Sequence, residues 1–305
     1  MGDLLVVGSV ALDSVQTPFG KVREVLGGSA TYFAYAASFF TKVRLIAAVG
    51  EDFPQEHVRL LRERGVDVTG LQAGAGRTFR WVGEYGYDLN EATTLDTQLN
   101  VFADFRPVLG GAARRVPYLF LANIDPDLQL DVLRQMAERP QLVALDTMNF
   151  WIEGKRAALR RVLGQVDVIT INDREARQLA GEANLVKAAR AIRAMGPTTV
   201  VVKRGEYGAM MFADGGFFIV PAYPLESVYD PTGAGDTFAG GFMGYLASEE
   251  RLDESVFRRA VVYGSVMASF TVEDFSLNRL TSLGPADIAD RYAAFHDLIR
   301  LGASA

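Results

Sequence analysis

Short apolar runs alternate along the chain with longer stretches of helical period. Leu4–Val7, Val43–Val49, Tyr118–Leu121, Leu142–Leu145, Val166–Ile171 and Thr198–Val202 are almost continuously apolar rather than alternating, the pattern of parallel strands covered on both faces. Between them the spacing predicts helices over Ser29–Phe40, Pro54–Arg64, Gln129–Ala137, Arg156–Leu163, Arg174–Ala180 and Leu185–Met195, with Gly65 and Gly196 ending two of them. This βα alternation predicts an α/β fold built on a mainly parallel, doubly wound sheet. Two stretches break the rhythm. Residues 14–26 and 78–105 are polar and aromatic with a period of two, as in "RTFRWVGEYGYDL", and neither is followed by the helix that a parallel crossover needs. They predict a small antiparallel flap on the main body. Without a repeat, a low-complexity tract or a linker, residues 1–305 are expected to form a single domain with a β lid from about 14–26 and 78–105.

Composition narrows the chemistry. The 305 residues are 49% apolar and 22% charged, with a formal charge of −6 spread along the chain. No basic stripe offers itself to a nucleic-acid backbone or an anionic membrane surface, so neither is expected as a partner. The absence of cysteine excludes disulfides, thiolate-bound zinc and thiol nucleophiles. Only His57 and His296 carry imidazoles, too far apart in sequence for ligand spacing, so a histidine metal centre is set aside. The longest nearly apolar run, Tyr32–Phe40, is too short to span a bilayer. "MGDLLVVGSVALD" lacks the basic start and apolar core of a secretion signal, and Val6 stands where a myristoylation signal wants Ser or Thr, so the expectation is a cytoplasmic protein.

The densest chemistry lies in "DPTGAGDTFAGGF", Asp230 to Phe242. Gly233 and Gly235 can take backbone angles closed to other residues, letting successive N–H groups converge into an anion nest. A helix beginning near Asp236 adds the positive end of its dipole, so a phosphoryl group fits there. An acid at the rim of a phosphate site repels the anion unless it has work to do, and accepting the proton of an attacking hydroxyl is such work. The alternative is that Asp236 merely caps the helix. Gly240, Gly241 and Gly244 each cost about 1 kcal/mol in a helix interior, which implies close packing beneath the site. Neither GxxxxGK[ST] nor a GxGxxG after the first strand is present.

These residues, with others in order, resemble the PfkB, or ribokinase-like, carbohydrate and nucleoside kinases. "GSVALD" resembles the segment whose aspartate, here Asp13, holds substrate hydroxyls. "GGSATYFA" resembles the double-glycine signature at Gly27 and Gly28, "INDREA" the N-x-x-E motif at Asn172 and Glu175, and "VVKRGEYGAM" the nucleotide-lining strand and turn with Gly205 and Gly208. The resemblance covers nearly the whole chain. It implies a three-layer α/β/α sandwich with a small β lid, and ATP-dependent phosphorylation of a hydroxymethyl group on a small sugar or polyol. Asp236 would be the base, and the N–H groups of Gly233, Ala234 and Gly235 the phosphoryl cradle. Substrate would meet Asp13, Gly27, Gly28, Tyr32, Trp81, Asn123, Asn149 and Asp236. ATP would meet Asn172, Lys203, Gly205, Gly208, Thr232, Gly233, Gly235 and Ala268. Mg²⁺ would be held near Glu175 through water, and a monovalent cation, K⁺, beside Asp230. The alternatives are a nucleoside kinase, favoured by the aromatic lid, and a regulatory protein that binds sugar or nucleotide without turning it over. Either a monomer or a homodimer through the lid fits.

Several residues also have ordinary readings. Asp13 can be a turn former, and Asn172 with Glu175 a helix cap. Lys203 and Arg204 can be exposed bases at a strand end, and Gly264 with Ala268 either admit adenine or close a helix contact. The lid aromatics Phe79, Trp81, Tyr85 and Tyr87 can stack on a substrate ring, line the flap's underside or form a dimer seam. Two departures bear on the acceptor: Tyr32 replaces the asparagine that many relatives carry, and the D-x-N-x-R pattern survives only as "DTMNF", with Asp146 and Asn149 but no arginine.

Overall fold

Leu4 and Val6 pack into one apolar cluster and Leu5 and Val7 into another, all four fully buried. Alternation on a strand covered from both sides requires this division. In the computed structural model, which describes residues 2–300, thirteen strands run in chain order as β1 Leu4–Val7, β2 Ala11–Thr17, β3 Gly20–Gly27, β4 Val43–Gly50, β5 Asp67–Gly74, β6 Phe79–Tyr85, β7 Ala92–Gln98, β8 Tyr118–Leu121, β9 Leu142–Asp146, β10 Val168–Asn172, β11 Thr199–Lys203, β12 Ala209–Ala213 and β13 Gly216–Val220. Nine form one sheet in the order β13-β12-β11-β10-β9-β8-β1-β4-β5. It is parallel from β5 to β11, with β12 and β13 added antiparallel at the edge. Helices Ser29–Ala37, Ala234–Ser248 and Glu254–Thr271 contribute to the cluster on one face, and Pro126–Gln135, Arg156–Leu163, Asp173–Ala180 and Leu185–Arg193 to the other. The three layers follow.

Three strands of the large sheet, β5, β12 and β13, are not among those the pattern predicts. β5, "DVTGLQAG", is an edge strand, mostly half-buried or exposed, and its pairing to β4 slips between Arg44 and Ile46. β12 carries two methionines, and β13 leaves Phe217 and Ile219 exposed at the other edge. The helices end earlier than expected at Ala37, Glu63 and Arg193, and the third begins at Pro126 behind the Asp125 cap.

The second sheet has the order β3-β2-β6-β7 and is mixed rather than antiparallel. β2 and β6 pair in parallel, Asp13 opposite Trp81. The expectation failed because the chain between them does not form a local hairpin; it passes through the main body, including helix Ser29–Ala37, β4 and β5, before returning. The strands begin at Ala11 and end at Gln98, and residues Asn100–Asp104 form a short 3₁₀ turn where Phe102 stacks on Phe79 and Phe105. Arg80 ties the second sheet to the turn after β4, donating to Glu24 of β3 at 2.6 Å and to Asp52 of that turn at 2.7 Å, while Asp52 accepts from Thr78. Among the described residues no helix is long and apolar enough to cross a membrane.

The glycines of helix Ala234–Ser248 admit its neighbours. A Cβ at Gly240 would collide with the Phe33 carbonyl oxygen, one at Gly241 would lie 2.8 Å from Met267, and one at Gly244 would lie 2.8 Å from the Ala37 backbone. Gly240→Ala gains about 1 kcal/mol of helix propensity but forces two backbones apart, and overpacking of this kind costs about 1–3 kcal/mol. The expected outcome is a lower Tm in thermal unfolding, despite the better helix former.

Candidate active site

Strand β2 of the second sheet, the ends of β9 and β11, the helix that follows β10 and the start of helix Ala234–Ser248 bring together Asp13, Asp146, Lys203, Glu175 and Asp236, whose charges act on one another. Binding crevices of open α/β sheets lie at this carboxyl edge. The helix starts at Ala234 behind Gly233, whose φ of 75° is left-handed. That angle turns the chain into the helix, whose Ala234 N–H donates to the Pro231 carbonyl at 3.1 Å and whose Gly235 and Asp236 N–H groups, in the first turn, have no backbone acceptor among the described residues. Asp236 is the third residue of the helix and makes no capping bond, so the capping alternative is removed. Gly235 departs from the expectation: it lies inside the helix and is absent from the positive-φ glycines. What it provides is space, since a Cβ there would lie 3.0 Å from Lys203 Nζ.

Burial sets the protonation of the acids. Asp236 is pushed up to about 7, first by desolvation and then by Asp146, with Lys203 opposing. Asp13 also rises to about 7 by desolvation, against the Gly28 N–H that bonds it and with Asp230 and Asp236 adding to the rise. A Cβ at Gly27 would strike the Asp13 carboxylate, so the double glycine makes room for that acid as well as starting the helix behind Gly28. A carboxyl that titrates near neutrality is matched to taking a proton there.

Asn172 and Glu175 form a complete capping box: Asn172 Oδ1 accepts from the Glu175 N–H at 2.8 Å, and Glu175 accepts from the Asn172 N–H at 3.0 Å. The cap reading is therefore present. It leaves one Glu175 oxygen without a bond in the box, on a carboxyl that desolvation and then Asp146 raise to about 7. Lys203 is not an exposed base; it bonds Asp146 at 2.7 Å, and their side chains are 17% and 6% exposed. Gly205 and Gly208 hold left-handed turns at φ 52° and 83°. Asn90, from the β6–β7 turn, fills the space where a Gly205 Cβ would stand, and it bonds Glu206.

The acceptor side is more aromatic than the sequence implied. Tyr32 is buried with its ring against Gly233, and desolvation followed by Asp13 and Asp230 raises its phenol. Tyr85 reaches down from the lid to accept a hydrogen bond from Thr232 at 3.3 Å, a role that stacking alone did not suggest. Trp81 folds over Gly83 and donates to Thr94 at 3.1 Å. Phe79 stacks on Phe102 and Tyr87 is 90% exposed. Asn123 accepts from Trp151 at 3.0 Å, whereas Asn149 stands exposed at the start of a short helix. Gly264 closes a helix contact, 2.9 Å from the Phe238 carbonyl oxygen if given a Cβ, while Ala268 remains half-exposed.

Two cation positions can be judged from the donors. Asp230 Oδ1 accepts from the Thr232 N–H at 2.9 Å, but its buried Oδ2 has no partner. An orphaned carboxylate oxygen suits a dehydrated cation. Among the described residues no three acidic or imidazole side chains converge as a metal cage, so a divalent ion here would have to keep most of its water, as Mg²⁺ does.

An α/β sandwich with an acid under a helix-start anion cradle defines a phosphotransferase class. Within it, the profile of the pfkB family carbohydrate kinases matches residues 1–279, and the chain belongs to that family. It is 31% identical over 274 residues to a cytidine kinase of Thermococcus kodakarensis, covering 84% of this chain and 92% of that one. It is 26% identical over 288 residues to a nucleoside kinase of Methanothermobacter thermautotrophicus, covering 89% and 90%. A ribokinase structure from Thermotoga maritima superposes with a TM-score of 0.76 at 18% identity, over 96% of this chain and all of that one, and shows the fold alone.

Proposed function

We propose that the protein transfers the γ-phosphoryl group of ATP to a hydroxymethyl group of a small sugar or polyol, within one domain whose lid covers the acceptor. The observation that carries this is the Asp236 carboxyl, buried, raised to about 7, and set three residues past the left-handed Gly233 that starts the helix at the crevice. The acceptor oxygen bonds to the γ-phosphorus as the bond from that phosphorus to the β,γ-bridging oxygen breaks, its electron pair staying on ADP. The acceptor proton passes to Asp236. The N–H groups at Gly233, Gly235 and Asp236 face the charge on the transferred group, while that of Ala234, expected in the cradle, is taken by the Pro231 carbonyl at 3.1 Å. Asp13, on lid strand β2, accepts hydrogen bonds from acceptor hydroxyls, with Tyr32 and Trp81 against the rest of the ring. Thr232, Gly205, Gly208 and Ala268 border ATP.

Mg²⁺ would supply charge neutralisation on the ATP phosphates, with Asn172 and Glu175 orienting its water. K⁺ would fill the place at Asp230 Oδ2, holding the loop ahead of the cradle. A nucleoside acceptor is the second reading, favoured by the aromatic set Tyr32, Tyr85 and Trp81 and by the relatives named as cytidine and nucleoside kinases. The reading places the enzyme in the cytoplasm, as a monomer or as a homodimer through the lid. Substrate-dependent ADP release over a panel of sugars, polyols and nucleosides tests it: turnover should require one acceptor class and stop in excess EDTA. Binding of acceptor and ATP without ADP release would replace the kinase by a regulatory binding protein.

A further inference from the structure

We propose that Lys203 supplies the positive charge that meets the phosphoryl group in flight, and that Asp146 is the positioning residue that holds its ammonium over Gly235. This rests on the kinase reading above. Asp146 ends β9 and Lys203 ends β11, on either side of β10, and their side chains arch over its end to bond at 2.7 Å. The carboxylate is itself fixed. Its Oδ1 accepts from the Thr147 N–H at 2.7 Å, and the Asp146 carbonyl accepts from the buried Gln129 amide at 3.2 Å. An ammonium has three N–H donors, yet among the described residues Asp146 is its only hydrogen-bond partner. A buried cation with free donors is costly unless an anion completes it.

The direction of those donors is given by Gly235. A Cβ there would lie 3.0 Å from Lys203 Nζ, although the backbone at that position needs no glycine. The missing side chain therefore keeps open the gap between the ammonium and the first N–H groups of helix Ala234–Ser248, where the transferred group passes. Lys203 gives up no proton in the step; bond making, bond breaking and the acceptor proton follow the course already described. The chain has no GxxxxGK[ST] lysine for this task, and the pair builds one from two distant strands. A charge placed on the group in flight acts chiefly on kcat, because interactions made only in the transition state do not change ground-state affinity.

The experiment is a four-protein cycle: parent, Lys203→Met, Asp146→Asn and the double variant, each assayed for kcat and for KM of ATP on the acceptor found by the panel. Lys203→Met should lower kcat about 10²–10³-fold, as loss of one preorganised charge donor does, with KM for ATP within about fivefold. Asp146→Asn should lower kcat in the parent but change it less than about twofold in the Lys203→Met background. If Asp146→Asn leaves a stranded lysine and fails to fold, the double variant against Lys203→Met still reads the coupling, because neither carries that lysine. A large effect of Asp146→Asn in the Lys203→Met background would overturn the positioning role and assign Asp146 its own contact with substrate or metal. A loss confined to KM would overturn the role of Lys203 in the transfer step. Binding of ADP with aluminium fluoride, a mimic of the group in flight, reads the same charge without turnover. Lys203→Met should weaken it at least tenfold while ADP alone binds as before; equal weakening of both overturns the proposal. Parent turnover on the panel separately decides the kinase reading.

Discussion

Asp236→Asn is expected to lower kcat by about 10²–10⁴-fold, the usual worth of a general base, while ATP binds within a few-fold of the parent. The side chain keeps its size and makes no capping bond to lose. Its carboxyl titrates at about 7 in the fold, well above the ordinary aspartate range because burial strips its water, so the parent's kcat should fall as pH drops below about 7 and the variant should lack that limb. Stability should move the opposite way. A carboxyl raised by the fold contributes stability that is present below its unfolded pKa and lost as pH rises through about 7. At pH 8 the parent therefore carries a buried charge that the variant lacks. The variant should melt higher there, by roughly 2–4 °C per kcal/mol recovered, with the gain shrinking toward pH 5. A folded variant turning over within about threefold of the parent, with chemistry rate-limiting, defeats the base assignment.

Gly233→Ala is expected to cost at least about 10²-fold in kcat and to lower Tm, because it acts on the cradle by two routes. A φ of 75° is left-handed, where a side chain costs about 1–2 kcal/mol. The added Cβ also enters the Tyr32 ring. Either relaxation turns the helix N–H groups away from the phosphoryl position, and loss of one such donor alone costs about 10²–10³-fold. The routes separate in Gly233→Ala combined with Tyr32→Ala, which restores room but not the backbone angle. Measured against Tyr32→Ala alone, which carries the loss of that ring's own contact with the acceptor, a double variant no slower than Tyr32→Ala would show that the ring clash dominates, whereas a further large loss would place it in the backbone. Activity of Gly233→Ala within threefold of the parent would show that the turn does not shape the cradle.

The strands that build the large sheet's centre were legible because burial on both faces forces continuous apolar runs; β1, β8 and β9 lie at or within one residue of where the pattern places them. Edge strands β5 and β13 were not, since a strand with an open side may carry Gly, Gln or exposed Phe without penalty. "DPTGAGDTFAGGF" announced its left-handed turn and the tightly packed helix behind it because such turns and close helix contacts restrict residue choice locally. It misassigned Gly235, whose constraint comes from Lys203 rather than from its own backbone.

What the sequence determined by itself was thus the alternation of buried strands and amphipathic helices, the glycine turn with its acid, and the ordered landmarks of the family. Only the tertiary structure decided that β2 pairs with β6 in parallel, that Tyr85 touches Thr232, and that Lys203 lies against Asp146, contacts separated by 147 and 57 residues in the last two cases. It also decided that the acids near the cradle titrate near neutrality. Local patterns record what each residue needs from its own backbone and from burial. The partner of a charge, and the water it loses, depend on which strand ends the topology sets side by side.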